Sequence, residues 1–178
     1  MATVSSGNVV LFGAGGPVGA STITSLKDHY TLRVTDLRPM EEVAVSPPQS
    51  ARAPIPEVLA APHENRVVDI TDYDQVLAAC QGMDAAIDLS VLRPHPVLAF
   101  HVNMIGAYNV AKACAACGVK RLIHTGPFHT SLNFNADYWH DFQLYDGIQL
   151  HPGDDLYALT KYLGGHITRV FAEREGLE

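Results

Sequence analysis

Tyr157 and Lys161 lie four residues apart in the stretch Tyr157-Ala158-Leu159-Thr160-Lys161. On a helix, positions i and i+4 share one face, so the phenol and the ammonium can converge on one site. A lysine ammonium beside a phenol favours the phenolate and draws it toward the working range of a general base. A pair of this kind suits proton exchange with a hydroxyl group. A second chemical feature stands near the other end of the chain. There the apolar run Val9-Val10-Leu11-Phe12 leads straight into Gly13-Ala14-Gly15-Gly16-Pro17-Val18-Gly19. A strand, a glycine turn and a helix from about Pro17 would set backbone N–H groups and a helix N-terminus where a pyrophosphate can sit. Pro17 suits a first helical position, where its missing N–H costs little.

Asp36 closes the next apolar stretch, near the ~20-residue distance at which dinucleotide-binding turns carry a ribose-binding acid. A carboxylate there accepts from the adenosine ribose hydroxyls and repels a 2′-phosphate, which favours NAD over NADP. Leu37 follows, and then Arg38, whose guanidinium would accommodate that phosphate and keeps NADP open. A solvated acid at a strand end is the plainer alternative for Asp36.

The elements that must position these groups are legible as alternating strands and helices. Strands are expected at about Asn8–Phe12, Thr31–Thr35, Arg66–Asp69, Ala85–Leu89 and Arg121–Thr125. Helices are expected at about Pro17–Lys27, Asp72–Cys80, Pro96–Cys117 and Asp155–Arg174. Short β-rich runs separated by helices imply an α/β fold with a parallel sheet and right-handed crossovers. Thr71 is a candidate N-cap, and Gly82, Gly118 and Gly176 are candidate helix stops. Two stretches break the pattern. Residues 39–65 hold six prolines and read as a surface loop with at most a short helix. Residues 126–154 follow the fifth strand, where open α/β sheets bind ligands.

Composition narrows the classes. The chain has 178 residues, 47% hydrophobic and 17% charged, which suits one domain with a real core. A net charge of −7 without a Lys/Arg cluster argues against nucleic acid or an anionic membrane as partner. No apolar run reaches the ~18 residues of a membrane span. The first eight residues lack the pattern of a signal peptide, so a reducing cytoplasm is expected. Three cysteines are too few for a disulfide framework. Cys114 and Cys117 form a C-x-x-C late in a helix, where packing is the better reading, and no second pair completes a zinc site. His129, Asp137, His140 and Asp141 have no tight ligand spacing, so no metal is expected. Tyr138, Trp139 and His140 are instead candidates for touching substrate.

Together these residues resemble the extended branch of the short-chain dehydrogenase/reductase superfamily, the NAD-dependent epimerase/dehydratases, over nearly the whole chain. Gly13, Gly16 and Gly19 match the branch's glycine turn and Asp36 its ribose acid. Val68-Asp69-Ile70 looks like the stretch whose Asp approaches the adenine. Asp84 to Ser90 resembles the fourth-strand segment beneath the nicotinamide ribose, with Leu89, Ser90 and Val91 toward the cofactor. Asn103 to Asn109 and Gly118 to Arg121 match the characteristic helix and the start of strand five. Tyr157 and Lys161 match the catalytic pair, in which the Tyr exchanges the substrate hydroxyl proton while the Lys also holds the nicotinamide ribose. The resemblance implies a Rossmann-type doubly wound sheet flanked by helices. It also implies NAD, a sugar or nucleotide-sugar substrate, and a homodimer formed through the long fourth and last helices. Asn103 is expected near the cofactor, with a satisfied buried amide as the plainer reading. Within the branch, residues 103–109 and 124–130 look most like uronate dehydrogenases, with hydroxysteroid or flavonoid-type reductases left open.

Two departures stand out. The catalytic Ser or Thr after strand five is replaced by His124-Thr125-Gly126-Pro127, with Pro127 where the hydroxyl is expected. Proline cannot donate to a substrate oxygen. Thr125 is the nearest substitute, with Thr130 and Ser131 beyond it. The chain also stops at Glu178, where family members begin a sixth strand and a substrate lobe, so residues 1–178 read as the N-terminal, NAD(P)-binding part of a longer fold. A non-catalytic NAD(P)-binding regulatory or redox-sensing module is the alternative function.

Overall fold

The computed structural model describes residues 7–45, 53–93, 95–126 and 156–178. Five parallel strands form one sheet in the order β3-β2-β1-β4-β5. They are β1 (Asn8–Phe12), β2 (Thr31–Asp36), β3 (Glu64–Val67), β4 (Ala85–Asp88) and β5 (Arg121–His124). The helices are α1 (Pro17–Leu26), α2 (Met40–Ala44), α3 (Tyr73–Cys80), α4 (Pro96–Phe100), α5 (Ala107–Cys117) and α6 (Leu156–Glu175). A π-helical segment, His101–Gly106, joins α4 to α5.

β1 lies at the centre of the sheet, pairing with β2 on one edge and β4 on the other. Its side chains alternate between the two faces, and both faces are covered, so an uninterrupted apolar run is what this position requires. Val10 and Phe12 pack with Val76 of α3 and with Val110 and Cys114 of α5. Val9 and Leu11 pack on the other side with Ile23 of α1, Leu32, Val34 and Met40. The chain leaves β1 toward β2 and later returns to add β4 on the opposite edge. The carboxyl ends of β1 and β4 therefore flank the crevice at the switch point, where doubly wound sheets take ligands.

Three expectations need correction. The third strand lies two residues earlier, at Glu64–Val67: β2 ends at Asp36, so after the Val68 N–H reaches the Asp36 carbonyl no partner strand remains and the chain turns. Asp69 Oδ1 accepts from both the N–H and the hydroxyl of Thr71. That bond occupies Thr71, and Asp72 caps α3 instead, accepting from the N–H groups of Asp74 and Gln75. The long fourth helix is not uniform either. Its π-helical segment carries Asn103 inward, where Oδ1 accepts from the Leu92 N–H and Nδ2 donates to the Leu92 carbonyl and to Thr160 Oγ1. An irregular turn of this kind cannot be read from apolar periodicity. The three glycine stops hold: Gly82, Gly118 and Gly176 have φ of 75°, 71° and 67°.

Cys80 and Cys114 are buried in the core, and the neighbouring Cys80 thiol together with burial pushes the Cys114 thiol up. Burial likewise raises Cys117. These are packing thiols, as expected, rather than reactive thiolates.

Candidate active site

The glycine turn is built by close approach. Gly13 has φ of +69°, and a Cβ there would lie 2.6 Å from the Ser90 Cα. Only glycine lets β1 leave the sheet beside the end of β4 in that conformation. At Gly19 a Cβ would lie 2.1 Å from the Ala14 carbonyl oxygen, so the third glycine sets how closely α1 meets the turn. The turn's first N–H groups are committed within the protein. Ala14 donates to the Thr35 carbonyl, and Gly15 donates to Asp36 Oδ2 at 2.8 Å. Asp36 Oδ1 takes a longer bond from the Arg38 N–H, at 3.4 Å. What remains for an anion is the start of α1. Gly16 is its N-cap without a side-chain bond, Pro17 follows, and nothing lies within 4 Å of a Cβ built on Gly16.

A cavity of about 450 Å³ opens along the carboxyl ends of β1 to β4. Of the residues expected at a cofactor, Gly13, Asp36, Leu37, Asp69, Ile70, Ser90 and Val91 line it. Phe12, Thr35, Val68, Thr71, Leu92, Leu98, His101 and Val102 complete the wall. Gly15, Gly16, Pro17, Val18 and Gly19 form the turn and the start of α1 beside it. Leu89 is in the core and Arg38 is not in the lining. Asn103 is buried with its amide bonded inside the protein, so its contribution is to fix Leu92 and α6. The uncapped helix start, the Asp36 carboxylate in the lining and the cavity at the switch point fit a dinucleotide.

α6 supplies the other half of the site. Tyr157 and Lys161 stand one turn apart on it. Lys161 is 2% exposed, and its Nζ donates to the Ser90 carbonyl at 3.1 Å. Burial draws the ammonium below its usual range, while the Asp88 carboxylate opposes that fall. Asp88 is itself 2% exposed. Burial alone would push its carboxyl up. The His124 hydrogen bond, the Lys161 charge and the Ser90 N–H outweigh burial and hold it below the usual carboxylate range. Since a carboxylate only accepts, His124 Nδ1 carries the proton of the 2.9 Å contact to Asp88 Oδ2. His124 Nε2 is buried with no hydrogen-bond partner among the described residues.

Thr125, the substitute for the missing catalytic hydroxyl, donates that hydroxyl to the Asp88 carbonyl at 2.9 Å. Its proton is thereby committed to the backbone. Pro127, His129, Thr130, Ser131, Asp137, Tyr138, Trp139, His140 and Asp141 lie outside the described residues. Three site residues were missed from the sequence. Asp88 and His124 stand inside stretches compared with the family but were given no role of their own, and only their pairing across adjacent strands joins them. Arg93, whose guanidinium carbon stands 5.0 Å from the centre of the Tyr157 ring, gave no signal because 64 residues separate the two.

A five-stranded parallel sheet of this order with a glycine turn after β1 is a Rossmann-type fold of the kind found in extended short-chain dehydrogenase/reductases. The sequence profile of the 3-beta hydroxysteroid dehydrogenase/isomerase family matches residues 10–143, and the chain belongs to that family. Among curated proteins it is 26% identical to the uronate dehydrogenase of Pseudomonas putida, over 100% of this chain and 60% of the relative. It is 25% identical to the L-arabinose 1-dehydrogenase (NAD(P)(+)) of Haloferax volcanii, over 96% of this chain and 63% of the relative. The chain therefore spans somewhat under two thirds of these relatives. A solved short-chain dehydrogenase/reductase superfamily protein from Agrobacterium tumefaciens, with bound NAD, superposes with a TM-score of 0.75 at 20% identity. That match covers 96% of this chain and 47% of the other. Among the described residues no helix is long and apolar enough to cross a membrane.

Proposed function

We propose that the chain is the dinucleotide-binding portion of an NAD-dependent oxidoreductase that acts on a sugar hydroxyl. The observation that carries this reading is the placement of α6. It brings Lys161 onto the Ser90 carbonyl at the cavity wall, with Tyr157 one helical turn before it. The names of two relatives, an L-arabinose dehydrogenase and a uronate dehydrogenase, support the sugar.

In this reading the start of α1 holds the pyrophosphate, and Asp36, oriented by the Gly15 N–H, accepts from the adenosine ribose. Asp69 and Ile70 border the adenine end, while Ser90 and Val91 border the nicotinamide ribose. Bound NAD supplies the hydride acceptor. Tyr157 takes the hydroxyl proton as the carbon–hydrogen bond breaks. Lys161, whose charge Asp88 supports, stands one turn further along the same helical face and steadies the ribose hydroxyls. Asp36 supports NAD over NADP through its charge.

The test is a fluorescence titration with NADH and separately NADPH, followed by a sugar screen monitored at the nicotinamide absorbance. NADH binding and a Tyr157-dependent turnover are expected. Absence of binding to either nucleotide would overturn the reading.

A further inference from the structure

Asp88 and His124 stand opposite each other in the parallel register of β4 and β5, so both side chains leave the sheet on one face. They are 2% and 8% exposed, and Nδ1 of the imidazole lies 2.9 Å from Oδ2 of the carboxylate. The far end of the ring meets α6, where a Cβ built on Gly164 would lie 3.3 Å from His124 Nε2. Gly164 follows Lys161 by one turn, so the helix that carries Tyr157 and Lys161 packs directly against this imidazole. Oδ1 of Asp88 accepts from the Ser90 N–H at 3.0 Å, and the Ser90 carbonyl accepts from Lys161 Nζ at 3.1 Å. One imidazole therefore touches both the carboxylate behind Lys161 and the helix that bears Lys161.

Neither Asp88 nor His124 lines the cavity. Burying three ionisable groups in one place costs more than packing apolar side chains of the same volume, so holding the sheet end together does not call for them. What the arrangement achieves is orientation. A buried carboxylate with the Ser90 N–H as its one donor turns about its bond and takes a proton more readily. A second donor on the other oxygen stops both. The Asp88 carboxylate is faced by His124 from β5, by Lys161 from α6 and by Cys114 from α5, whose thiol the Cys80 thiol and burial keep protonated. Lys161 is thus the cation it serves. We infer that His124 is a positioning residue for the Tyr157/Lys161 helix: through Asp88 it holds the Lys161 ammonium at the Ser90 carbonyl. The consequence for a bound cofactor rests on the oxidoreductase reading, in which Lys161 steadies the ribose, whereas the consequence for Lys161 does not.

The test follows Lys161 by the carbon resonance of its ε-methylene, from about pH 4 to about pH 8, in nucleotide-free wild type, His124→Leu and His124→Asn. Leucine removes the donor, while the asparagine amide places an N–H near where Nδ1 stood. Without its donor Asp88 is easier to protonate. The step at which Lys161 loses its countercharge is therefore expected about one pH unit or more higher in His124→Leu, the size of one hydrogen bond to a charged group. In His124→Asn it should return most of the way. Calorimetric titration of the same proteins with NAD at neutral pH should give about tenfold weaker affinity in His124→Leu, largely restored in His124→Asn. A side chain that only fills space would change stability and move neither readout. As a measurement needing no variant, nitrogen NMR of the wild type at mildly alkaline pH should show His124 protonated at Nδ1. Protonation at Nε2 instead, a Lys161 step at the same pH in wild type and His124→Leu, or equal NAD affinity in those two proteins would overturn the assignment. A wild type that binds no NAD would instead remove the oxidoreductase reading, and the Lys161 titration would still decide for or against His124.

Discussion

Nδ1 of His124 lies 2.9 Å from Oδ2 of Asp88, joining the carboxyl ends of β5 and β4 beneath α6. The other Asp88 oxygen accepts from the Ser90 N–H at 3.0 Å, and the Ser90 carbonyl accepts from Lys161. Four residues from three elements thus share one buried polar network. His124 Nδ1–H and the Ser90 N–H fix the carboxylate, and the carboxylate provides the countercharge that a buried ammonium needs.

Asp88→Asn is expected to destabilise the protein by about 3–5 kcal/mol at neutral pH, because it leaves Lys161 buried without its countercharge. Adding Lys161→Met to that variant should recover part of the loss, which urea unfolding of the four members of the cycle will measure. The pH dependence follows from the depressed Asp88 carboxyl. Its contribution is fully present above the unfolded value of about 3.9 and is lost as pH falls through the lower folded value. The acid-side slope of stability should therefore flatten in Asp88→Asn. An unchanged slope would show that the carboxylate is not held charged in the folded state.

Tyr157→Phe should reduce turnover by roughly 10²–10⁴-fold, the range for loss of a positioned acid/base. NADH affinity should be nearly unchanged, since the phenol acts on the substrate proton. Steady-state kinetics and nucleotide titration on the same preparation check both halves. An unaltered rate would remove Tyr157 from the mechanism.

Asp36→Ser should weaken NADH and narrow the gap to NADPH, because the change removes both the ribose acceptor and the charge that repels a 2′-phosphate. It also removes the bond that orients the Gly15 N–H. Paired titrations of wild type and variant with the two nucleotides read this directly. If NADPH already binds more tightly to the wild type, Arg38 rather than Asp36 governs the choice.

Gly13→Ala should cost at least about 2 kcal/mol, combining the penalty of a left-handed non-glycine residue with a contact against the Ser90 backbone. The φ of +69° and the 2.6 Å approach leave the methyl no space without moving β4 or the turn. Thermal unfolding measures it. A variant as stable as the wild type would mean that the turn can reopen at little cost.

A homodimer is expected in solution. Val97, Ile105, Tyr108 and Val170 are exposed apolar residues on α4, the π-helical segment, α5 and α6. Light scattering at tens of micromolar should give twice the chain mass, and a monomeric mass would refute it.

Local composition was enough for much of this protein. The apolar run of β1 predicts a strand covered on both faces, and the left-handed glycines at 82, 118 and 176 predict where helices stop, because both effects act within a few residues. The glycine turn and the Tyr157/Lys161 spacing are of the same kind. Tertiary structure decided the rest. Asp88 and His124 lie 36 residues apart, and only the parallel pairing of β4 with β5 turns two unremarkable strand ends into one buried pair. Arg93 meets Tyr157 only because the loop after β4 and α6 converge at the same edge of the sheet. The π-helical turn at Asn103, the capping of α3 by Asp72 and the use of the Gly15 N–H by Asp36 were likewise decided by hydrogen-bond competition. Apolar patterning records which face is buried, but it does not record which acceptor a given N–H finally meets.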